Sequence, residues 1–224
     1  MVKNMMMPIL TRKPTIMTTT KRAFWIILVL LCGSCGMLSQ CSDLPSLYDD
    51  LVSAVVTIDG RGSGVFVTED LVLTANHVVG NEENFTIVLW NTIRVYGKTF
   101  IRDVDSDLAL VKIDAGAVKF LEIRRLSFDA YPKIGDRVFV IGSPFMFANT
   151  MSTGIVSRLS TRLDNSPWIC ELFLVDYKTA PGYSGSPVFD ANGRVVGIHV
   201  GSMGNFGLMI PSYSVNCFLK ANGL

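Results

Sequence analysis

Histidine is scarce, with two in 224 residues, and the five cysteines are scattered rather than grouped. Neither residue type supplies a ligand set at metal-binding spacing, so no metal and no organic cofactor is implied. Charge of one sign is lacking as well: 20 basic residues face 19 acidic ones, and in the body of the chain the two kinds are interspersed. A basic face of the kind that binds nucleic acid is thereby excluded. Internal repeats and low-complexity tracts are missing too. What remains is a chain with 49% apolar residues, enough at this length for one sizeable core or two small ones sharing an interface.

Long apolar runs are confined to the N-terminus. Lys3, Arg12, Lys13, Lys21 and Arg22 precede an apolar stretch from Ala23 to Leu31, and small residues and cysteines follow through Cys35 and Gly36. That order resembles a secretory signal. Stretched to Leu38 the run reaches about 16 residues, short of the ~20 that cross a bilayer comfortably. Residues 1–42 therefore read as a signal peptide or an uncleaved signal-anchor, with a buried or interfacial helix as the third option. Cleavage after Ser34, Gly36 or Ser39 stays open. Under the first two readings the positive-inside rule puts everything after Cys41 on the far side of a membrane from the cytosol: secreted, periplasmic or lumenal, or tethered through this segment. Cys32 and Cys35 fall in the leader. The remaining Cys41, Cys170 and Cys217 are odd in number and cannot all pair within one chain, and Cys170 and Cys217 read as buried free thiols in a strand and a helix.

From Ala54 onward, short β-branched runs are broken by Gly, Asp and Asn, a pattern of barrels or sandwiches rather than of βαβ units. Strands are predicted at 54–59, 62–68, 71–74, 85–89, 93–102 and 108–113, then at 137–142, 153–159, 169–175, 187–189, 194–200 and 207–210. The stretch 114–133 is the predicted connection between the two groups. Asp190-Ala191-Asn192-Gly193 carries hairpin chemistry. Ser212 to Ala221 predicts one amphipathic helix, with Ser212 as its N-cap.

Hydrolysis through a serine needs a hydroxyl exposed on a tight turn, an imidazole to take its proton, and a carboxylate to hold the imidazole's tautomer. Gly182-Tyr183-Ser184-Gly185 sets a serine among glycines, where the backbone can turn sharply and aim the Gly182 and Ser184 amides at a developing oxyanion. His77 follows the strand ending at Thr74, and Asp107 stands just ahead of the strand that opens at Leu108. Singly these are ordinary features: a turn, a structural histidine, a capping acid. Together they run in the order His, Asp, Ser within an all-β pattern, which is the order of the chymotrypsin triad rather than of subtilisin or the α/β-hydrolases. Asp105 is a rival for the third position.

The blocks Thr74-Ala75-Asn76-His77-Val78-Val79, Asp107-Leu108-Ala109-Leu110 and Gly182-Tyr183-Ser184-Gly185-Ser186-Pro187 resemble the three catalytic blocks of the chymotrypsin-like superfamily, over about Ala54 to Ala221. The resemblance implies an all-β fold of two six-stranded antiparallel β-barrels with a short C-terminal helix, residues 43–123 forming the first barrel and 124–224 the second barrel and helix. It implies a serine endopeptidase acting on polypeptides, with His77, Asp107 and Ser184 as triad and the Gly182 and Ser184 amides as oxyanion hole. Val195-Val196-Gly197-Ile198-His199-Val200-Gly201, followed by Gly204-Asn205-Phe206-Gly207, resembles the primary-pocket strands of glutamyl endopeptidases and of RNA-virus polyprotein proteases. That places His199, Thr179 and Gly201 at the substrate and implies cleavage after Glu or Gln. The alternatives are a Do-like (HtrA) quality-control protease, more distant at the His199 position, which cleaves after small apolar residues, and an inactive peptide-binding homologue. Tyr183 stands where digestive proteases carry the aspartate that pairs with a freed N-terminus, so activation through that ion pair is not expected. Val200 replaces a serine that in many relatives lies behind the triad aspartate.

Overall fold

The β-branched runs between Val55 and Pro211 pair as twelve antiparallel strands in the computed structural model, which describes residues 43–118, 126–161 and 171–224. Strands β1 (Val55–Ile58), β2 (Gly62–Phe66), β3 (Leu71–Ala75), β4 (Asn84–Leu89), β5 (Arg94–Asp103) and β6 (Leu108–Ile113) close a barrel in the order β1-β2-β3-β6-β5-β4. Strands β7 (Arg137–Gly142), β8 (Thr150–Thr161), β9 (Leu172–Val175), β10 (Pro187–Asp190), β11 (Val195–Met203) and β12 (Phe206–Pro211) close a second, in the order β10-β11-β12-β9-β8-β7. Closure removes the edge strands that an open sheet of this kind would expose. The two six-stranded barrels expected from the sequence are thus present, with helix α4 (Ser212–Ala221) after the last strand.

The described chain has three shorter α-helices, α1 (Leu44–Leu51), α2 (Asn76–Val79) and α3 (Ala115–Val118), and 3-10 turns at Val52–Ala54 and Pro144–Met146. The sequence reading did not pick out α1. Its Asp43 carboxylate caps the Ser46 amide at 3.3 Å, and Leu47 and Leu51 are its buried face. The α1 leucines lie over the β10–β11 hairpin: a Cβ placed on Gly193 would stand 3.2 Å from Leu47 and 3.3 Å from Leu51. Gly193 adopts the positive φ, 75°, that the hairpin requires, and the Asp190 carboxylate accepts from the Asn192 and Arg194 amides.

The barrel interiors join. One cluster takes in Leu51, Ile58, Leu73, Ile87 and Leu110 together with Phe139, Phe189, Ile198 and Val215, and so runs through both barrels and α4. A smaller one, with Val140, Val188, Val196, Tyr177 and Met209, fills the rest of the second barrel.

Two expectations are corrected at α4. Pro211, not Ser212, occupies the N-cap, and the buried Ser212 hydroxyl donates instead to the Ala130 carbonyl. Cys217 is exposed rather than buried, because the helix turns Ser212, Val215, Phe218 and Leu219 inward and the 3.6-residue period sends position 217 to the opposite face. Cys41, Cys170, residues 1–42 with their predicted signal segment, and the middle of the predicted inter-barrel connection lie outside the described residues. Among the described residues no helix is long and apolar enough to cross a membrane.

Candidate active site

Strands β3 and β6 are antiparallel neighbours with Ala75 opposite Leu108, so the chain leaving β3 emerges beside the chain about to enter β6. Helix α2 starts at the end of β3 and carries His77; Asp107 is the residue ahead of β6. The Asp107 carbonyl accepts the Asn76 amide at 2.9 Å, its Oδ1 accepts the His77 amide at 2.9 Å, and its Oδ2 lies 2.7 Å from His77 Nδ1. A carboxylate only accepts, so the ring proton sits on Nδ1 and Nε2 is left as the basic nitrogen. The Asp107 side chain is 2% exposed and that of His77 40%, giving a buried anchor and an accessible imidazole. Asp107 holds a φ of +54°, a conformation costly for a residue with a side chain, and these three bonds fix it there. Asp105, the rival, is exposed in the preceding turn, where its amide bonds the Asp103 carboxylate at 3.0 Å.

Ser184 lies on the turn before β10 and is half-buried. It meets the His77 helix at Gly62: a Cβ there would stand 2.6 Å from Val78 and 2.8 Å from the Ser184 carbonyl oxygen. The turn's peptide planes are pinned by their carbonyls. Pro181 O accepts from the Phe145 amide at 2.8 Å, and Tyr183 O accepts from the Ser186 amide at 2.9 Å. In a trans peptide the N–H points opposite to the C=O. The Gly182 and Ser184 amides are therefore turned away from those bonds, and neither has an acceptor among the described residues. Gly182 and Gly185 adopt φ of 103° and 84°, which a side chain would oppose.

His199 lies in β11 beside this turn, its carbonyl accepting the Gly185 amide at 2.7 Å and its amide donating to the Ser186 carbonyl at 2.9 Å. Its ring is 2% exposed, and Nδ1 stands 2.9 Å from the hydroxyl of the fully buried Tyr177. That hydroxyl has one proton and no other acceptor among the described residues, so it donates to Nδ1 and leaves the His199 proton on Nε2. Burial, with a smaller contribution from His77, pushes the His199 pKa down to about 3. Burial likewise pushes the Tyr183 phenol, whose ring meets His199 edge-on, up to about 12. Gly207 of β12 opens the space beside this pair: a Cβ there would stand 3.0 Å from the Thr179 methyl and 3.1 Å from Tyr177. Gly201 follows His199 across a β-bulge and pairs with Leu208. Thr179, His199 and Gly201 are thus brought to one end of the second barrel.

Sequence reading missed Tyr177 and Ser63, and placed Gly207 in the pocket block without giving it a role of its own. Ser63 is fully buried in β2; its amide donates to the Ser184 carbonyl at 2.7 Å and its hydroxyl to the Gly182 carbonyl at 2.8 Å. Only the Gly-Ile-His and Gly-Asn-Phe-Gly neighbourhoods pointed toward this region, and nothing local marks a tyrosine 22 residues before the histidine as its partner. Among the described residues no group of His, Cys, Asp or Glu is gathered to hold a metal ion.

The trypsin-like peptidase domain family matches residues 62–198, a span that includes His77, Asp107 and Ser184 and ends one residue before His199. A probable periplasmic serine endoprotease, DegP-like, from Brucella suis is 34% identical over 140 residues, covering 62% of this chain and 27% of that protein. The chain spans under a third of the length of such curated relatives. Among solved structures, the HtrA-type protease AlgW with a tripeptide superposes with a TM-score of 0.71 at 25% identity, over 80% of this chain and 63% of that one. The serine endoprotease from Yersinia pestis gives 0.69 at 25% identity, over 80% and 66%. These relatives are of the Do-like kind, the branch that the sequence reading had placed at greater distance.

Proposed function

Because the chain belongs to the trypsin-like peptidase domain family, we propose that it is a serine endopeptidase of the DegP/HtrA kind, working on polypeptides outside the cytosol. The observation that carries this reading is the Asp107–His77 pair, bonded at 2.7 Å with its basic nitrogen left on an accessible ring. His77 takes the Ser184 proton as the hydroxyl attacks the scissile carbonyl, and Asp107 stabilises the imidazolium that forms. The Gly182 and Ser184 amides receive the oxyanion. His77 then returns the proton to the leaving amine; water attacks the acyl-enzyme by the same route. The periplasmic relatives and the leader-like order of residues 1–42 support the location, and the HtrA-type structure with a tripeptide supports a peptide ligand.

For the residue before the cut, kinship with DegP-like proteases supports small apolar side chains. A second reading, cleavage after Glu or Gln, has its own support in the His199–Tyr177 pair. A neutral imidazole that donates from Nε2 suits a carbonyl oxygen, and Gln more than Glu, because burying a carboxylate without a positive partner is costly. A peptide library varied at that position, with the Ser184→Ala protein as blank, tests both levels. Cleavage by the parent alone, with fluorophosphonate labelling at Ser184, is expected. Cleavage that persists in the blank rejects the triad, and the preferred residue decides between the pockets.

A further inference from the structure

The turn carrying Ser184 is four successive peptide planes, and each carbonyl is held. Pro181, Tyr183 and Ser184 are held by backbone amides, of Phe145, Ser186 and Ser63 respectively. The Gly182 carbonyl alone is held by a side chain, the Ser63 hydroxyl at 2.8 Å, reaching from β2 of the other barrel. That carbonyl belongs to the plane between the two amides assigned to the oxyanion. We infer that Ser63 is a positioning residue for the proposed peptidase reaction, its hydroxyl locking the Gly182–Tyr183 peptide so that the Gly182 and Ser184 amides stay aimed at the same point.

The bond is well determined chemically. A hydroxyl has one proton, and the Ser63 oxygen already accepts the Ser143 amide at 3.0 Å, so its proton goes to the Gly182 carbonyl. Ser63 itself cannot drift: it is fully buried, its amide holds Ser184 O, and its carbonyl accepts the Thr74 hydroxyl at 2.7 Å. Gly142 makes room for it, since a Cβ there would stand 3.0 Å from the Ser63 hydroxyl oxygen. Gly182, at φ 103°, has no side chain to resist rotation of the peptide that follows. Without the hydroxyl, that plane keeps only the Tyr183 amide's bond to the Ala180 carbonyl at 3.2 Å, and the amides on either side, each pinned through its own carbonyl, lose the link that fixes their mutual angle. Preorganised donors act only if they are in place when charge develops, so the deficit falls on the transition state rather than on substrate binding.

The inference rests on the peptidase reading, and the experiment separates the two. Ser63→Ala is compared with the parent in peptide turnover, in its pH profile, and in affinity for a peptide aldehyde, whose adduct places an oxyanion in the hole. Loss of kcat by about 10-fold or more is expected, with KM within about threefold and aldehyde affinity falling in step with kcat. The pH midpoint of kcat/KM stays where it was, because Ser63 makes no described bond to His77 or Asp107. Ser63→Cys, which keeps the side chain's place but weakens the donor, gives the same split if the alanine protein does not fold. Turnover and aldehyde affinity within twofold of the parent overturn the inference. So does a kcat loss with a displaced pH midpoint and unchanged aldehyde affinity, which marks a general disturbance instead. A parent that neither cleaves peptides nor takes up fluorophosphonate overturns the peptidase reading and this inference with it.

Discussion

Asp107 does two jobs with two oxygens, one on the His77 amide and one on the ring. Asp107→Asn keeps the shape but offers an N–H where the ring needs an acceptor, which drives the imidazole to the wrong tautomer. A kcat loss of about 10³- to 10⁴-fold is expected, with KM little changed, read in steady-state peptide turnover. His199 carries a second residue-scale consequence. Its folded pKa of about 3 lies below the ~6.5 of a free imidazole, so between those values the unfolded chain binds a proton that the folded one refuses. Stability contributed by the neutral, buried ring is complete above pH ~6.5 and declines on acidification, by up to about 1.4 kcal/mol per pH unit in that window. Urea unfolding at pH 4.5 and 7.5 should show a steeper acid loss for the parent than for His199→Gln. With the ring neutral throughout pH 5–9, the ratio of Glu to Gln turnover should stay flat, as a paired-substrate assay would read it.

At the scale of elements, the nucleophile turn and the β11–β12 hairpin separate two costs that glycine avoids. Gly185 and Gly204 both hold positive φ, 84° and 59°. A Cβ at Gly185 would run into the Ser63 carbonyl oxygen and the Thr74 hydroxyl, whereas one at Gly204 meets nothing within 4 Å. Gly204→Ala should therefore cost only the left-handed backbone penalty, about 1 kcal/mol, and Gly185→Ala at least about 3 kcal/mol, since backbone cannot give way. Thermal unfolding of the two variants gives the difference. Pairing also explains why the strand pattern was readable: ten residues of β5 alternate outward and inward up to its bulge, and β6 is buried almost throughout. The helix α1 was not readable, because eight residues carry too short a period and its leucines find their cover on a hairpin about 140 positions away.

For the molecule as a whole, the first core cluster passes from α1 through both barrels to α4, and residues Cys41–Leu224 form one compact unit. One unfolding transition is expected, not two. Leu51→Ala, at a fully buried position of that shared cluster, should lower stability by about 2–5 kcal/mol and displace the transition without splitting it, seen in denaturant unfolding by two probes. The sequence by itself determined the β class, most strand positions and the C-terminal helix, and it singled out His77, Asp107 and Ser184 as candidates, because those signals are local: alternation along a strand, glycines around a turn, an acid ahead of an apolar run. It carries no internal repeat, yet the second barrel is wound in the first one's order, β7-β8-β9-β12-β11-β10 against β1-β2-β3-β6-β5-β4. Only the tertiary structure decided that Ser63 of one barrel grips Gly182 of the other across 119 residues, that Tyr177 fixes the tautomer of His199, and that Cys217 faces outward. Those are statements about which distant atoms share a buried space, and burial is set by the closure of the barrels against each other, not by any neighbour in the chain.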